Sequence, residues 1–211
     1  MTKTYEERTE TENPLGTQPV GKLLRKFAVP SIISMLVMSL YNIVDQIFIG
    51  QTVGELGNAA TNVAFPLTTL CIATALAFGI GGASGFNLNL GAGEKEKAPY
   101  FIGNSAIMMA IIGVILAVIS SVAMKPLLLF FGSTESILPY AMEYTKYIAI
   151  GFPFAIVSAG GSHLVRADGS PKFSMACNLV GAFVNIILDY LFVMVFRWEM
   201  MGAAIATIIG Q

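Results

Sequence analysis

Five apolar runs dominate this chain, and each is long enough to cross a lipid bilayer: Phe27–Ile49, Ala59–Gly85, Tyr100–Ala123, Tyr140–Ser162 and Phe173–Phe196. A helix needs about 20 such residues to cover ~30 Å of hydrocarbon. Inside lipid every peptide group must find an internal partner, so runs of this length fold as helices. A sixth run opens at Gly202 and stops ten residues later, at Gln211. The expected fold is therefore all-α, a multi-pass membrane helical bundle with five full spans and a truncated sixth. The 211 residues read as the front part of a longer protein.

Charge distribution supports the same conclusion. Only 12% of residues are charged and 55% are hydrophobic, whereas soluble globular chains carry about 25% charged residues. Nine of the 25 charged residues (12 basic, 13 acidic) precede Phe27, which leaves 16 for everything after it. A water-soluble α/β enzyme is excluded. A net charge of -1 with one histidine does not offer the clustered Lys and Arg of a nucleic-acid surface. Cys71 and Cys177 both fall inside apolar runs, against a disulfide framework or a zinc site. Residues 1–21 are polar, rich in Thr and Glu, and read as a disordered cytoplasmic tail; residues 22–211 form the membrane lobe.

Lys and Arg set the expected orientation. Lys3, Arg8, Lys22, Arg25, Lys26, Lys95, Lys97, Arg166 and Lys172 fall on one side, and Lys125, Lys146 and Arg197 on the other. This asymmetry predicts a cytoplasmic amino terminus. Glycines crowd the second span from Gly79 to Gly85, where small residues let helices approach closely. Pro30, Pro66 and Pro153 interrupt three spans and mark candidate bends. His163, beside Arg166 and Asp168, reads as a solvated loop histidine without a catalytic partner.

Few ionisable residues lie within the apolar runs, and each is costly there. An aspartate near the bilayer centre costs ~2.5–3.5 kcal/mol, so an unpaired one points to function. Counting at about 1.5 Å per residue, Asp45 lies ~27 Å and Asp189 ~24 Å from the cytoplasmic face, and Thr207 ~7.5 Å below the outer face. Three polar groups on three helices thus share the outer third. Asn178, Asn185 and Asp189 line one face of the fifth span, and Ser34, Met38, Tyr41 or Asn42, and Asp45 follow the same spacing on the first. Two carboxylates with amide and hydroxyl oxygens make a hard-ligand set suited to Na⁺ or a proton. Met35, Met38, Phe65, Phe152 and Phe154 are candidates for an adaptable apolar surface, since thioethers and rings repack around varied shapes. Glu143 and Lys146, three apart on one helix, are expected to pair with each other near the outer surface; the sharper alternative pairs Lys146 with an aspartate.

At these residues the chain resembles the multidrug and toxic compound extrusion (MATE) transporters over Lys22–Gln211. The resemblance rests on Val44-Asp45 followed by Phe48-Ile49-Gly50, on Phe65-Pro66, and on Leu90-Gly91-Ala92-Gly93. It continues through Arg166-Ala167-Asp168-Gly169, Asn185-Ile-Ile-Leu-Asp189 and Gly202-Ala-Ala-Ile-Ala-Thr207. It implies twelve helices in two six-helix lobes, of which this chain carries the first, in the cell membrane. It also implies export of cationic and amphipathic drugs in exchange for Na⁺ or H⁺, with a cation site at Asp45, Asn185, Asp189 and Thr207. No cofactor beyond that coupling ion is implied, and no enzymatic activity. The expected partners are membrane lipid, small organic cations, and the missing carboxy-terminal lobe or a second copy of the chain. A lipid-linked oligosaccharide flippase and an inactive fragment are the alternatives. A flippase cavity is expected to be strongly basic, and Lys146 is the only candidate interior cation.

Overall fold

A computed structural model describes residues 18–211. Most of the expected tail lies outside the described residues, and helix begins at Val20, slightly before the expected end of the tail. The order is α1 (Val20–Thr52), α2 (Glu55–Gly91), α3 (Ala98–Val122), α4 (Met124–Phe130), α5 (Leu138–Ala167), α6 (Pro171–Asp189), a π-helical stretch (Tyr190–Val195) and α7 (Glu199–Gly210). Helices α1, α2, α3, α5 and the α6–π segment are long and apolar enough to cross a membrane. The α1, α2 and α5 helices extend well past the apolar runs, because hydrogen-bonded backbone continues readily into polar surroundings.

Two local features depart from the sequence expectations. The short α4 follows α3 after a single non-helical residue, Ala123, and its Pro126 lies in the first turn, where a missing N–H is tolerated. The last helix begins at Glu199 rather than Gly202. Thr207 is therefore eight residues into α7, at ~12 Å, while Asp45 is seven residues from the end of α1, at ~10 Å.

Prolines occupy two kinds of position. Pro99, Pro139 and Pro171 open helices, where the ring is pre-set for the first turn. Pro30, Pro66 and Pro153 lie inside helices that run on through them.

Packing divides the molecule. Helices α2, α3 and α5 form one closely packed group around a core that includes Ala75, Met109, Ala149 and Ile156. Glycine makes this closeness feasible. A methyl group added at Gly79 would come within 2.7 Å of the Gly160 backbone, and one at Gly113 within 2.6 Å of the Pro153 Cα. Gly82 lies against Ser105 and Gly85 against Phe101, whereas Gly81 faces open space. Helices α1, α6 and α7 form the second group, joined to the first mainly through α7 on α5. Helix α1 packs extensively on α6 but little on α2, and many of its large apolar side chains are exposed, as expected of a lipid-facing helix.

Candidate functional site

Two carboxylates from the second group are buried together. Asp45 on α1 is 8% exposed, and Asp189, the last residue of α6, is fully buried. They lie within Coulombic range of each other and of the Tyr41 and Tyr144 hydroxyls. Asn185, one helical turn before Asp189, is also buried. The α-helix ends at Asp189 and passes directly into the π-helical stretch, a wider turn that often accompanies functional sites.

Hydrogen bonding here is unusually incomplete. Buried polar groups are almost always paired, yet Asp45 Oδ1, both oxygens of Asp189 and both amide atoms of Asn185 have no partner among the described residues. The other Asp45 oxygen, Oδ2, accepts a long bond of 3.5 Å from Gln46 Nε2. Gln46 Oε1 in turn accepts from Thr61 Oγ1 at 3.1 Å, which ties the site to α2. A buried carboxylate without a compensating charge costs several kcal/mol. This oxygen-only donor set fits a small hard cation or a shared proton.

The fourth expected residue is placed by helix register. Gly210 of α7 abuts Asn185, with an added Cβ 2.8 Å from Asn185 Cβ, and Gly202 abuts Phe192 at 3.0 Å. Thr207 lies between these two contact points along α7 and is half-buried.

Other predicted residues fall elsewhere. Asn42 is exposed; its amide donates to the Met38 carbonyl at 2.7 Å, and it lines a shallow depression with Gln46 and Asn58. Met38 is 39% exposed, while Tyr41 is half-buried near the carboxylates. Asn178 accepts from Ser162 Oγ at 3.2 Å, so it joins α6 to α5 and leaves its stripe. Phe152 is core, with 2% exposure, whereas Met35, Phe65 and Phe154 are exposed.

Three corrections concern charge. Glu143 and Lys146 do not pair: the ion pair found among the described residues joins Lys97 to Glu94 at 2.8 Å. Both side chains are exposed, where an ion pair gains little over hydration, and Lys146 Nζ instead sits 5.6 Å from the Tyr147 ring centroid. Lys146 does not serve the aspartates either, since it lies on the exposed side of α5 while Tyr144 and Thr145 point inward. His163 is helical and half-buried, because α5 continues to Ala167, and it lines a cavity with Arg166.

Tyr144 is the residue that sequence reasoning missed. Its signal was its register with Ile148 and Phe152 on the buried face of α5, masked by the charged neighbours Glu143 and Lys146.

Comparison with known proteins agrees with this fold. A family model described as MatE matches residues 30–191. A Shewanella oneidensis FAD transporter is 27% identical over 92% of this chain and 44% of its own length. A multidrug export protein MepA from Staphylococcus haemolyticus is 28% identical over 91% of this chain and 42% of its own. Among solved structures, the MATE multidrug transporter DinF-BH is 37% identical at a TM-score of 0.87, covering 92% of this chain and 44% of that one. An outward-facing MATE family multidrug resistance transporter gives 28% identity and a TM-score of 0.83, over 89% and 41%. The chain thus spans less than half the length of the relatives it matches. With a matching family model over most of its spans, and a fold shared with solved MATE transporters, the chain belongs to the MatE family of membrane transporters.

Proposed function

We propose that this chain is the amino-terminal lobe of a cation-coupled antiporter that exports cationic or amphipathic drugs across the cell membrane, with its amino terminus in the cytoplasm. The observation that supports this reading is the cluster of unpartnered buried oxygens on Asp45, Asn185 and Asp189. In this reading Na⁺ or H⁺ enters from outside and neutralises the two carboxylates. Asn185 supplies an amide oxygen and Thr207 a hydroxyl. Helix α1, lightly held on its α2 side, then settles differently against α6, and bound drug leaves outward. The ion shifts the equilibrium only by its difference in affinity for the two states. Met38 and Tyr41 contribute to the drug-facing surface, and a second lobe or second copy completes the pathway.

The test is drug efflux from cells expressing the complete transporter with Asp45→Asn or Asp189→Asn. Each should lower efflux about tenfold or more at normal membrane abundance; unchanged efflux in both removes the carboxylates from coupling. The FAD transporter among the relatives favours a second reading, export of an anionic dinucleotide. Flavin release into the medium, insensitive to organic cations, is its distinguishing result.

A further inference from the structure

A cavity of about 750 Å³ lies at the opposite end of the bundle from the carboxylates, between the start of α1 and the ends of α2 and α5. Two sequence motifs that the cation site does not use converge on it: Leu90-Gly91 from the last turn of α2, and Arg166-Ala167-Asp168-Gly169 from the end of α5. We propose that this cavity binds the phosphate headgroup of an anionic membrane lipid, held by Arg166 and Lys26.

Both cations line the cavity, and neither forms an ion pair among the described residues. The one carboxylate in the lining, Asp168, is not within ion-pair distance of either. Arg166 is pre-positioned: its Nε donates to Ser174 Oγ at 3.1 Å, and Ser174 Oγ donates to the Ser162 carbonyl at 3.2 Å. That anchor uses one edge of the guanidinium and leaves its terminal nitrogens for a second partner. A planar fork of this kind suits the paired oxygens of a phosphate. Half-buried His163 adds a further donor on the same wall.

The remaining lining indicates an amphiphile rather than a free anion. Phe27, Ile80 and Phe86 supply apolar walls at the end of the membrane spans. On the membrane side of Lys26, α1 presents Val29 and Ile32, 50% and 56% exposed, a surface along which acyl chains can lie. A headgroup phosphate at Arg166 and Lys26 with its chains beside α1 satisfies both kinds of surface. Lys22 and Arg25 are also basic and close in sequence but do not line the cavity, so they separate a built site from a generally positive membrane edge.

Native mass spectrometry of the 211-residue chain in detergent tests this, using phosphatidylglycerol, phosphatidylcholine of matched chains, and inorganic phosphate. Phosphatidylglycerol should be retained about tenfold better than phosphatidylcholine, which corresponds to ~1.4 kcal/mol. Arg166→Gln and Lys26→Gln should each remove most of that preference. Arg25→Gln and Asp189→Asn should keep it, so that failure of the cation site and failure of this site are read separately. Lys26 is exposed, so its variant reports on binding even where Arg166→Gln does not fold. Equal retention of the two lipids, or full preference in the Lys26→Gln chain, overturns the proposal. So does displacement of the lipid by inorganic phosphate, which would mark a free-anion site.

Discussion

The α2–α3–α5 group and the α1–α6–α7 group have similar apolar composition but use it differently. In the first, glycines let backbones meet: Gly79 on Gly160, and Gly113 on Pro153. In the second, α1 turns large apolar side chains outward and buries Asp45, while α6 buries Asn185 and Asp189. Among the described residues, one group is a frame without a buried carboxylate, whose unpartnered buried polar atoms are the neutral Asn58 Oδ1 and Thr145 Oγ1. The other carries unsatisfied oxygens at the junction of its three helices. Close contact stabilises the first group, and the proposed ion dependence rests on the incomplete polar pairing of the second.

Four substitutions break or sharpen this contrast. The largest effect is expected in the frame. Gly79→Leu drives a side chain into the Gly160 backbone, and overpacking of this kind costs about 1–3 kcal/mol or more. It should abolish the monodisperse peak in fluorescence-detected size exclusion; a normal peak would show that the glycine contact is dispensable. Asp189→Asn should do the reverse, leaving the peak intact while Na⁺ or proton protection against thermal unfolding falls by about 1–3 kcal/mol. Ion protection equal to wild type would place the ion elsewhere.

Gln46→Leu tests the link between the groups, since Gln46 joins Asp45 to Thr61 on α2. Its loss is expected to cost about 1 kcal/mol, a typical net value for one hydrogen bond, read as a lowered midpoint in a thermal scan. A midpoint equal to wild type would show that the Gln46 link adds nothing to the other contacts between the groups, such as those of Ser162 with Asn178 and Ser174. The smallest effect belongs to Glu143→Ala, which should lie within about 0.5 kcal/mol of wild type because the residue is exposed and unpaired among the described residues. A larger loss would mean that Glu143 has a partner in the working transporter.

How much of this was legible beforehand varies by type of feature. Apolar run length reveals the spans, because a continuous apolar run of about 20 residues satisfies its own backbone in lipid as a helix. Asp45 and Asp189 stand out for the complementary reason: a charge in such a run is conspicuous. Tyr144 was not legible, since a tyrosine in an apolar helix is unremarkable until the facing helices are known. The Glu143–Lys146 pairing failed because i, i+3 spacing permits contact without making it favourable against hydration. The short α4 and the π-helical stretch were also hidden, as each is a local choice of hydrogen-bond register within residues that suit an ordinary α-helix. In the sequence Arg166 enters as one of the cations that set orientation and as part of a family motif; only the fold brings Lys26 and the end of α2 around it.

The π-helical stretch after Asp189 has a consequence for comparing relatives. A π turn closes its hydrogen bond one residue later than an α turn, so Tyr190–Val195 accommodates one more residue than an α-helical path with the same end points. A relative with uninterrupted α-helix here would align to this chain with a single-residue gap between Asp189 and Arg197. The aspartate would keep its place, and so would the start of α7 at Glu199. Alignments that forbid that gap would shift Thr207 by one position, about 100° around its helix, and would pair it with a residue on a different face.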